Sequence, residues 1–543
     1  MKKLLLISSI VLLSLSLPAQ GPVIWNSSGH IVSQSGTYWV VDNGNFTLKS
    51  ESADNPAQMA NLNIAADASL TIEPLNYLTV SGTLANSGTL TLSSTSSGTG
   101  SLIVTGSSTG NITTQRYFPG SLQSWHMVST PVSGMDISTS NFVVTPAENY
   151  DFYAWNEPSP GTWVNYKTDD PEQDPTFLAI NGNDNFLPGK GYLVAYNAAD
   201  PTKTFTGTLN TGNQTYSLKN SPAKDWDYNA GWNLLGNPYS SAIDWNEADR
   251  SLFWGDFAYA YNPQAHEGTG DFEEIDGSNE NAYIAANQGF FVIVDPTTAN
   301  NSVFTFTNAM QNHGGTYYKN MDEDEKLVIR LTGELYYDET TVRQRDESTF
   351  NKDRVDAFQM NSYNVNAPNV YSISEDNIHL AINSIPEIGA EHSIRMGMVA
   401  PKSGLYKLQV VEANNYMMDN KIYLEDLLLN NWHKISESEY SFTTEEGDIN
   451  DRFVIHFGVV GVEETSPLEE ILQLWTNNST INLRNPENIA GELRVYNMIG
   501  QIVERTSLNR NTSQQINLLV PDGFYVVNIL TKSQMINKKV YLR

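Results

Sequence analysis

The sequence predicts an all-β protein of several domains, and three observations carry that prediction. At 543 residues the chain is several times the length of one ordinary domain, taken at roughly 150 residues each. Hydrophobic residues make up 40% and charged residues only 17%, enough apolar material for several cores. Short runs rich in Thr, Val, Tyr and Phe alternate apolar with polar residues, and Gly, Asn, Ser and Pro separate them. The expected order is a short β-solenoid-like region, a duplicated β region, a β-sandwich and a last β module.

Met1-Lys2-Lys3, an apolar run to Leu17 and Pro18-Ala19-Gln20 read as a signal peptide over residues 1–19. Cleavage is expected between Ala19 and Gln20. The run is shorter than the about 20 residues that a spanning helix needs.

Residues 20–115 are dominated by Ser, Thr, Gly and Asn. The triplets Leu70-Thr71-Ile72, Leu78-Thr79-Val80, Leu90-Thr91-Leu92 and Leu102-Ile103-Val104 recur between Gly-Ser turns. Strands this short suit stacked solenoid coils, each burying its apolar residues on the next. A meandering sandwich is the alternative.

Residues 116–315 repeat internally, with copies at about 116–220 and 221–315. Trp125-His126-Met127 is answered by Trp232-Asn233-Leu234, and Tyr153-Ala154-Trp155-Asn156 by Tyr259-Ala260-Tyr261-Asn262. Gly191-Tyr192-Leu193-Val194 is answered by Gly289-Phe290-Phe291-Val292, and Thr204-Phe205-Thr206 by Val303-Phe304-Thr305. Either a pseudo-symmetric pair or one interleaved domain fits. Residues 322–460 alternate cleanly, as in Leu327-Val328-Ile329-Arg330-Leu331, and read as a β-sandwich with an acidic loop at Glu445-Glu446-Gly447-Asp448. A polar linker at 461–467 leads to the final module, 468–543.

That module carries Leu493-Arg494-Val495-Tyr496-Asn497-Met498-Ile499-Gly500-Gln501, then Asp522-Gly523-Phe524-Tyr525-Val526-Val527, then Lys538-Lys539-Val540-Tyr541-Leu542-Arg543. In order, spacing and C-terminal position it resembles the type A C-terminal sorting domain of type IX secretion cargo, found in surface proteins of Bacteroidetes-type bacteria. Tyr496, Gly500, Gln501, Gly523, Tyr525, Lys538 and Lys539 carry the match. The resemblance implies an Ig-like sandwich that directs passage across the outer membrane. It also implies the secretion machinery and its sorting protease as partners, processing within 461–467, and a passenger released or attached to surface lipopolysaccharide. Secreted or outer-membrane cell-surface localisation follows from it.

A net charge of −30 with no basic patch argues against nucleic acid as a partner. The absence of cysteine excludes disulfides, thiolate metal sites, a cysteine nucleophile and a lipobox. Gly106-Ser107-Ser108-Thr109-Gly110 spells a nucleophile elbow but lacks the strand-to-helix setting that chemistry requires. The eight histidines show no H-E-x-x-H spacing. No catalytic residue and no cofactor are therefore expected. Structural calcium is weighed at the oxygen-rich stretches Asp169–Asp174 and Asp271–Gly277, neither of which has EF-hand spacing.

Sugar rings stack on aromatic faces, so Trp155, Trp163, Trp226, Trp245 and Trp254 are weighed as a platform, with Trp155 and Trp254 as the leading pair. Trp125 and Trp232, at matching repeat positions, are expected in the core. The expected function is a non-enzymatic, adhesin-like or structural surface protein whose partners are host or matrix proteins. The alternative is a glycan-binding accessory protein, and after it a hydrolase with an unrecognised site.

Overall fold

The structure is a computed structural model that describes residues 23–25, 29–32, 39–50, 52–118, 124–157, 162–167, 175–196, 202–221, 230–279, 282–314, 326–387, 392–413, 422–457, 472–486, 489–497, 501–508, 513–531 and 535–543. The signal-peptide reading with Ala19 and Gln20, Trp226, the stretch Asp169–Asp174, the linker 461–467 and Gly500 lie outside them. The chain divides into two compact units, Met1–Gly458 and Val459–Arg543.

The first unit opens with a three-faced parallel solenoid. One face stacks Trp39–Val41, Leu62–Ile64, Leu84–Asn86 and Ser108–Thr109; the second stacks Gly44–Lys49, Ala68–Ile72, Thr89–Leu92 and Asn111–Tyr117; the third stacks Ala57–Met59, Tyr77–Val80 and Ser101–Val104. A coil takes about 22 residues, since Leu62 pairs Leu84. The four triplets fall on two faces: Leu70 pairs Leu90, and Leu78 pairs Leu102. Because side chains alternate along a strand, Phe46, Leu70 and Leu90 stack in the core while Thr47, Thr71, Thr91 and Thr113 pair along the same face at the outward positions. At one corner Gly110 has φ +82°, and a Cβ there would overlap the Asn86 carbonyl oxygen, so glycine sets the tight coil. Ser108–Thr109, inside the elbow-like motif, is a solenoid strand that leads into the strand Asn111–Tyr117.

The solenoid stops where Thr202–Leu209 from the first repeat copy pairs antiparallel with Asn111–Tyr117. This covers an edge that would otherwise accept another strand. The solenoid core runs on into Phe142, Phe152, Phe186, Tyr192 and Phe205 of that copy. The second copy has its own core around Trp245, Phe253, Phe290, Phe304 and Phe306.

The two copies share strand order and register. His126–Ser129, Gly191–Tyr196, Tyr150–Asn156 and Thr162–Asn165 form one sheet in that order; Trp232–Gly236, Gly289–Ile293, Phe257–Asn262 and Asp271–Asp276 form the other. Ser129 pairs Gly191 and Gly236 pairs Gly289, while Tyr153 pairs Leu193 and Tyr259 pairs Phe291. The copies meet as a pseudo-symmetric pair, with the strand Gln214–Ser217 pairing Val303–Phe306 and Leu218 entering the second copy's core. Val128 bridges Gln288, and its counterpart Leu235 bridges Lys190. Ser129 N donates to Asn287 O at 3.0 Å, and Gly236 N donates to Gly189 O at 2.9 Å. A Cβ on Gly236 would lie 2.6 Å from the Lys190 carbonyl oxygen.

Residues 326–457 form an eleven-stranded sheet folded over one core. Arg452 and Asp426 pair at 2.8 Å, with side chains 7% and 0% exposed. Asp426 also accepts from the Tyr440 hydroxyl at 2.9 Å, and Arg452 donates to Thr443 O at 2.9 Å, which ties strands from both wings together. Of the expected acidic loop, Glu445 and Glu446 connect the strands Tyr440–Thr444 and Gly447–Phe457, while Gly447 and Asp448 begin the second strand. In the second unit, Gln473–Asn477, Thr480–Arg484 and Ser513–Asn517 form one sheet, and Ile502–Ser507, Gly491–Asn497, Gly523–Thr531 and Met535–Leu542 form another. Ile481 and Leu483 of the first meet Leu493, Val495, Val527 and Ile529 of the second in a sandwich core.

Two histidines, His126 buried and His313 half-buried, brace the first unit. His126 stacks on Phe118 at 4.5 Å; burial first, and the Arg116 charge second, push its pKa down from 6.5 to about 3. His313 contacts Ser101 Oγ at 2.8 Å and Thr79 Oγ1 at 2.9 Å, and burial pushes it down to about 4.

Two predictions follow from this packing. Gly236→Ala should cost about 1–3 kcal/mol by overpacking the copy junction, whereas Gly404→Ala, where a Cβ meets nothing within 4 Å, should stay within about 0.5 kcal/mol; denaturant titration reads both. Below pH 6.5 the unfolded histidines bind protons that the folded ones refuse, so stability falls from there down to about pH 3–4. The double variant His126→Phe, His313→Gln should show a shallower loss of melting temperature across that window than the parent.

Candidate functional site

Strand alternation gives each repeat sheet a second apolar face. In Tyr150–Asn156, Phe152 and Ala154 enter the solenoid-side core, leaving Tyr153 and Trp155 on the reverse. In Phe257–Asn262, Ala258 and Ala260 enter the copy's own core, leaving Phe257, Tyr259 and Tyr261 on the reverse. These reverse faces pack with Phe358, Ile378 and Leu380 of the eleven-stranded sheet in one aromatic cluster.

Trp155 donates its Nε1–H to Trp232 O at 2.7 Å, so it links the copies. Its ring meets Trp163 at 5.0 Å and Phe291 at 5.2 Å, both edge to face. Trp232 contacts Phe358 at 6.0 Å, and Phe358 N donates to the Tyr259 hydroxyl at 2.9 Å. Burial holds that hydroxyl's pKa well above its usual value.

The cluster does not close completely. A cleft of about 410 Å³ remains, lined by Trp155, Trp163, Met360, Tyr363 and Phe291 with Gln359, Asn361, His379 and Asp448. Trp155, Trp163 and Tyr363 are half-buried; Asn361 and Asp448 are exposed. Tyr371 stacks on His379 at 4.2 Å along the wall. Gln359 donates through Nε2 to Met360 O, while its Oε1 is buried without a hydrogen-bond partner. A buried acceptor left in that state costs about 1–3 kcal/mol. Larger cavities, of about 750 and 680 Å³, lie beside Leu335 and beside Ser96, but neither has this density of aromatic faces.

Of the expected platform, Trp155 and Trp163 line the cleft. Trp254 belongs to the same cluster but packs on the Phe358 ring at 5.1 Å and is not part of the cleft wall. Trp245 is not a platform residue. It is wholly buried, donating Nε1–H to Asp256 O at 2.9 Å, because the turn after Asp244 directs it into the second copy's core. Trp232 is buried as expected, and Trp125 is half-buried between Tyr153 and Tyr363. Gln359, Met360 and Tyr363 were invisible to sequence reasoning: they sit on an irregular segment with no motif.

A second cluster joins His266, Asp271 and Asp338, whose ligand-type atoms all lie within 4.8 Å of one another. The stretch Asp271–Gly277, expected as an acidic loop, is the strand Asp271–Asp276 paired with Phe257–Asn262. Burial raises the pKa of Asp271 well above the carboxylate range and pushes Asp338 up to about 7. His266 is presented by a tight turn in which it and Glu267 have φ +49° and +59°.

In the sorting-like module, Tyr525 is buried and donates to Pro521 O at 2.7 Å, and Gly523 starts the strand that pairs with Leu542. Gln501 closes a hairpin with Asn497 through N–H to Oδ1 at 2.9 Å, and Tyr496 pairs with Val526. Lys538 donates to Leu474 O at 2.9 Å, and Lys539 lies over the Phe524 ring at 4.5 Å. The motif residues therefore build the module's fold.

Trp155→Phe should cost about 1–3 kcal/mol, because it removes the Nε1–H that donates to Trp232 O. Trp232→Ala should cost about 3–5 kcal/mol through a core cavity. Urea denaturation followed by tryptophan fluorescence measures both.

Residues 25–248 and 245–457 each match the family described as a domain of unknown function (DUF8693). The two matches meet inside the second repeat copy, so the family unit and the internal repeat are not the same division. Residues 476–543 match the secretion system C-terminal sorting domain. No curated protein matches the chain. A solved chain titled "Biofilm associated protein - BSP domain" aligns over 79% of this chain and 95% of its own at 8% identity, with a TM-score of 0.11, a likeness that establishes neither fold nor function. Over residues 25–457 the chain belongs to the DUF8693 family, and its tail makes it a type IX secretion cargo protein of the cell surface or exterior.

Proposed function

We propose that the passenger is a non-enzymatic, adhesin-like surface protein that takes a carbohydrate chain in the cleft beside Trp163. The observation that carries this is the pairing of aromatic faces on Trp155, Trp163 and Tyr363 with the polar, exposed Asn361 and Asp448 at the same cleft. A sugar ring offers C–H groups to the first and a hydroxyl donor to the second. Asn361 and Asp448 at the exposed rim supply acceptors and a donor for its hydroxyls. The cleft volume lies within the range of small-ligand sites, about 300–1,000 Å³. Host or matrix glycoproteins and surface lipopolysaccharide are partners of this chemistry. No cofactor is needed for such binding.

The test is a pull-down of the full chain on soluble and insoluble polysaccharides, with an assay for released sugar. Saturable binding without product is the expected result. Released reducing sugar would overturn the non-enzymatic reading, and no binding on any glycan would overturn the carbohydrate reading. Trp163→Ala and Tyr363→Ala should each weaken binding while leaving the fold intact. Gln359→Met should leave the melting temperature equal or higher, because it removes an unsatisfied buried acceptor. A variant lacking residues 476–543 should remain in the periplasm on cell fractionation.

A further inference from the structure

Asp271 and Asp338 are 8% and 3% exposed and face one another across the junction between the second repeat copy and the eleven-stranded sheet. Among the described residues neither pairs with a lysine or arginine. The nearby Arg330 is committed to Glu339 at 2.7 Å and to the Tyr337 ring at 4.0 Å. Holding both groups ionised without a cation beside them would be costly, since each ion's effective desolvation penalty is several kcal/mol.

His266 stands at the open side of this pair. Its Nδ1 lies 3.3 Å from Asp271 Oδ2 and is buried, yet it forms no hydrogen bond. A contact at that distance without hydrogen-bond geometry is what two ligands of one metal ion show. With metal–ligand bonds of about 2.0–2.2 Å, neighbouring ligand atoms sit about 3–3.5 Å apart. The surrounding bonds hold the three groups in place, as second-shell contacts do at metal centres. Phe272 N donates to Asp271 Oδ1 at 2.7 Å; Glu339 N and Val370 N donate to the two oxygens of Asp338, each at 2.7 Å. The His266 ring rests on Tyr337 at 4.9 Å, and Thr269 Oγ1 donates to His266 O at 2.7 Å. The imidazole is 21% exposed, which leaves an entry path from solvent.

We infer that His266, Asp271 and Asp338 form a binding site for one divalent ion of the zinc or manganese class, clamping the second repeat copy to the eleven-stranded sheet. One imidazole and two carboxylates suit such borderline ions. Calcium takes six to eight oxygen ligands and has no use for the imidazole. The site is separate from the aromatic cleft and stands or falls independently of the glycan reading.

The test uses the full chain, stripped with chelator and dialysed, then titrated with zinc, manganese and calcium alone by calorimetry, with elemental analysis of the product. One equivalent of zinc or manganese should bind and raise the melting temperature. His266→Gln, at a partly exposed turn, should fold normally and weaken binding by more than about tenfold; Asp338→Asn should do the same, with circular dichroism checking its fold. No stoichiometric binding by the parent would overturn the site. So would a preference for calcium, or binding undiminished in His266→Gln.

Discussion

The two repeat copies meet by close approach of their backbones, and much else depends on that contact. Val128 against Gln288 and Leu235 against Lys190 are the same contact made twice. Gly191, Gly236 and Gly289 sit there because the opposing main chains leave no room for a Cβ. Ser129, the one non-glycine among these four equivalent positions, turns its hydroxyl to Asn237 O and Gln288 O at 2.7 and 3.1 Å. Arg116 of the solenoid reaches the same place, donating to Ala286 O and Gln288 Oε1, both at 3.1 Å. Solenoid and both copies are thereby fixed by a few polar contacts in a dry, crowded setting, where hydrogen bonds are strong and unpaired groups expensive.

That junction also decides where the aromatic cluster forms. Each copy's sheet has one face committed to a core, and the junction sets the reverse faces side by side, with Trp155 bonded to the Trp232 backbone. The eleven-stranded sheet then covers both with Phe358. The cleft is the part of this three-way packing left open, which explains why its walls come from all three modules. Binding sites at such seams are common because no single module has to be concave.

Local order was legible in the sequence, and long-range contact was not. The triplets at Leu70, Leu78, Leu90 and Leu102 announced stacked coils because each short strand must bury the same alternating side chains. The repeat was legible down to register, since Met127 and Leu234, Tyr153 and Tyr259, and Gly191 and Gly289 keep equivalent partners. Charge misled at Asp271–Asp276, where four acidic residues outweighed the alternation of a paired strand. Composition misled at Trp245, because a tryptophan beside Asp and Asn looks exposed until the turn that buries it is known. Gln359 and Asp338 gave no signal, as their meaning lies in partners distant in the chain.

The duplicated contact has a consequence for how such a protein could have arisen. A joint in which each side offers the same surface is isologous, the geometry of a two-fold homodimer. A chain with only one copy would expose that edge. Tandem duplication places both halves in one polypeptide, so the effective concentration replaces the association constant. Once the joint is internal, the backs of the two copies are released from symmetry. One now packs against the end of the solenoid, and the other has a core of its own.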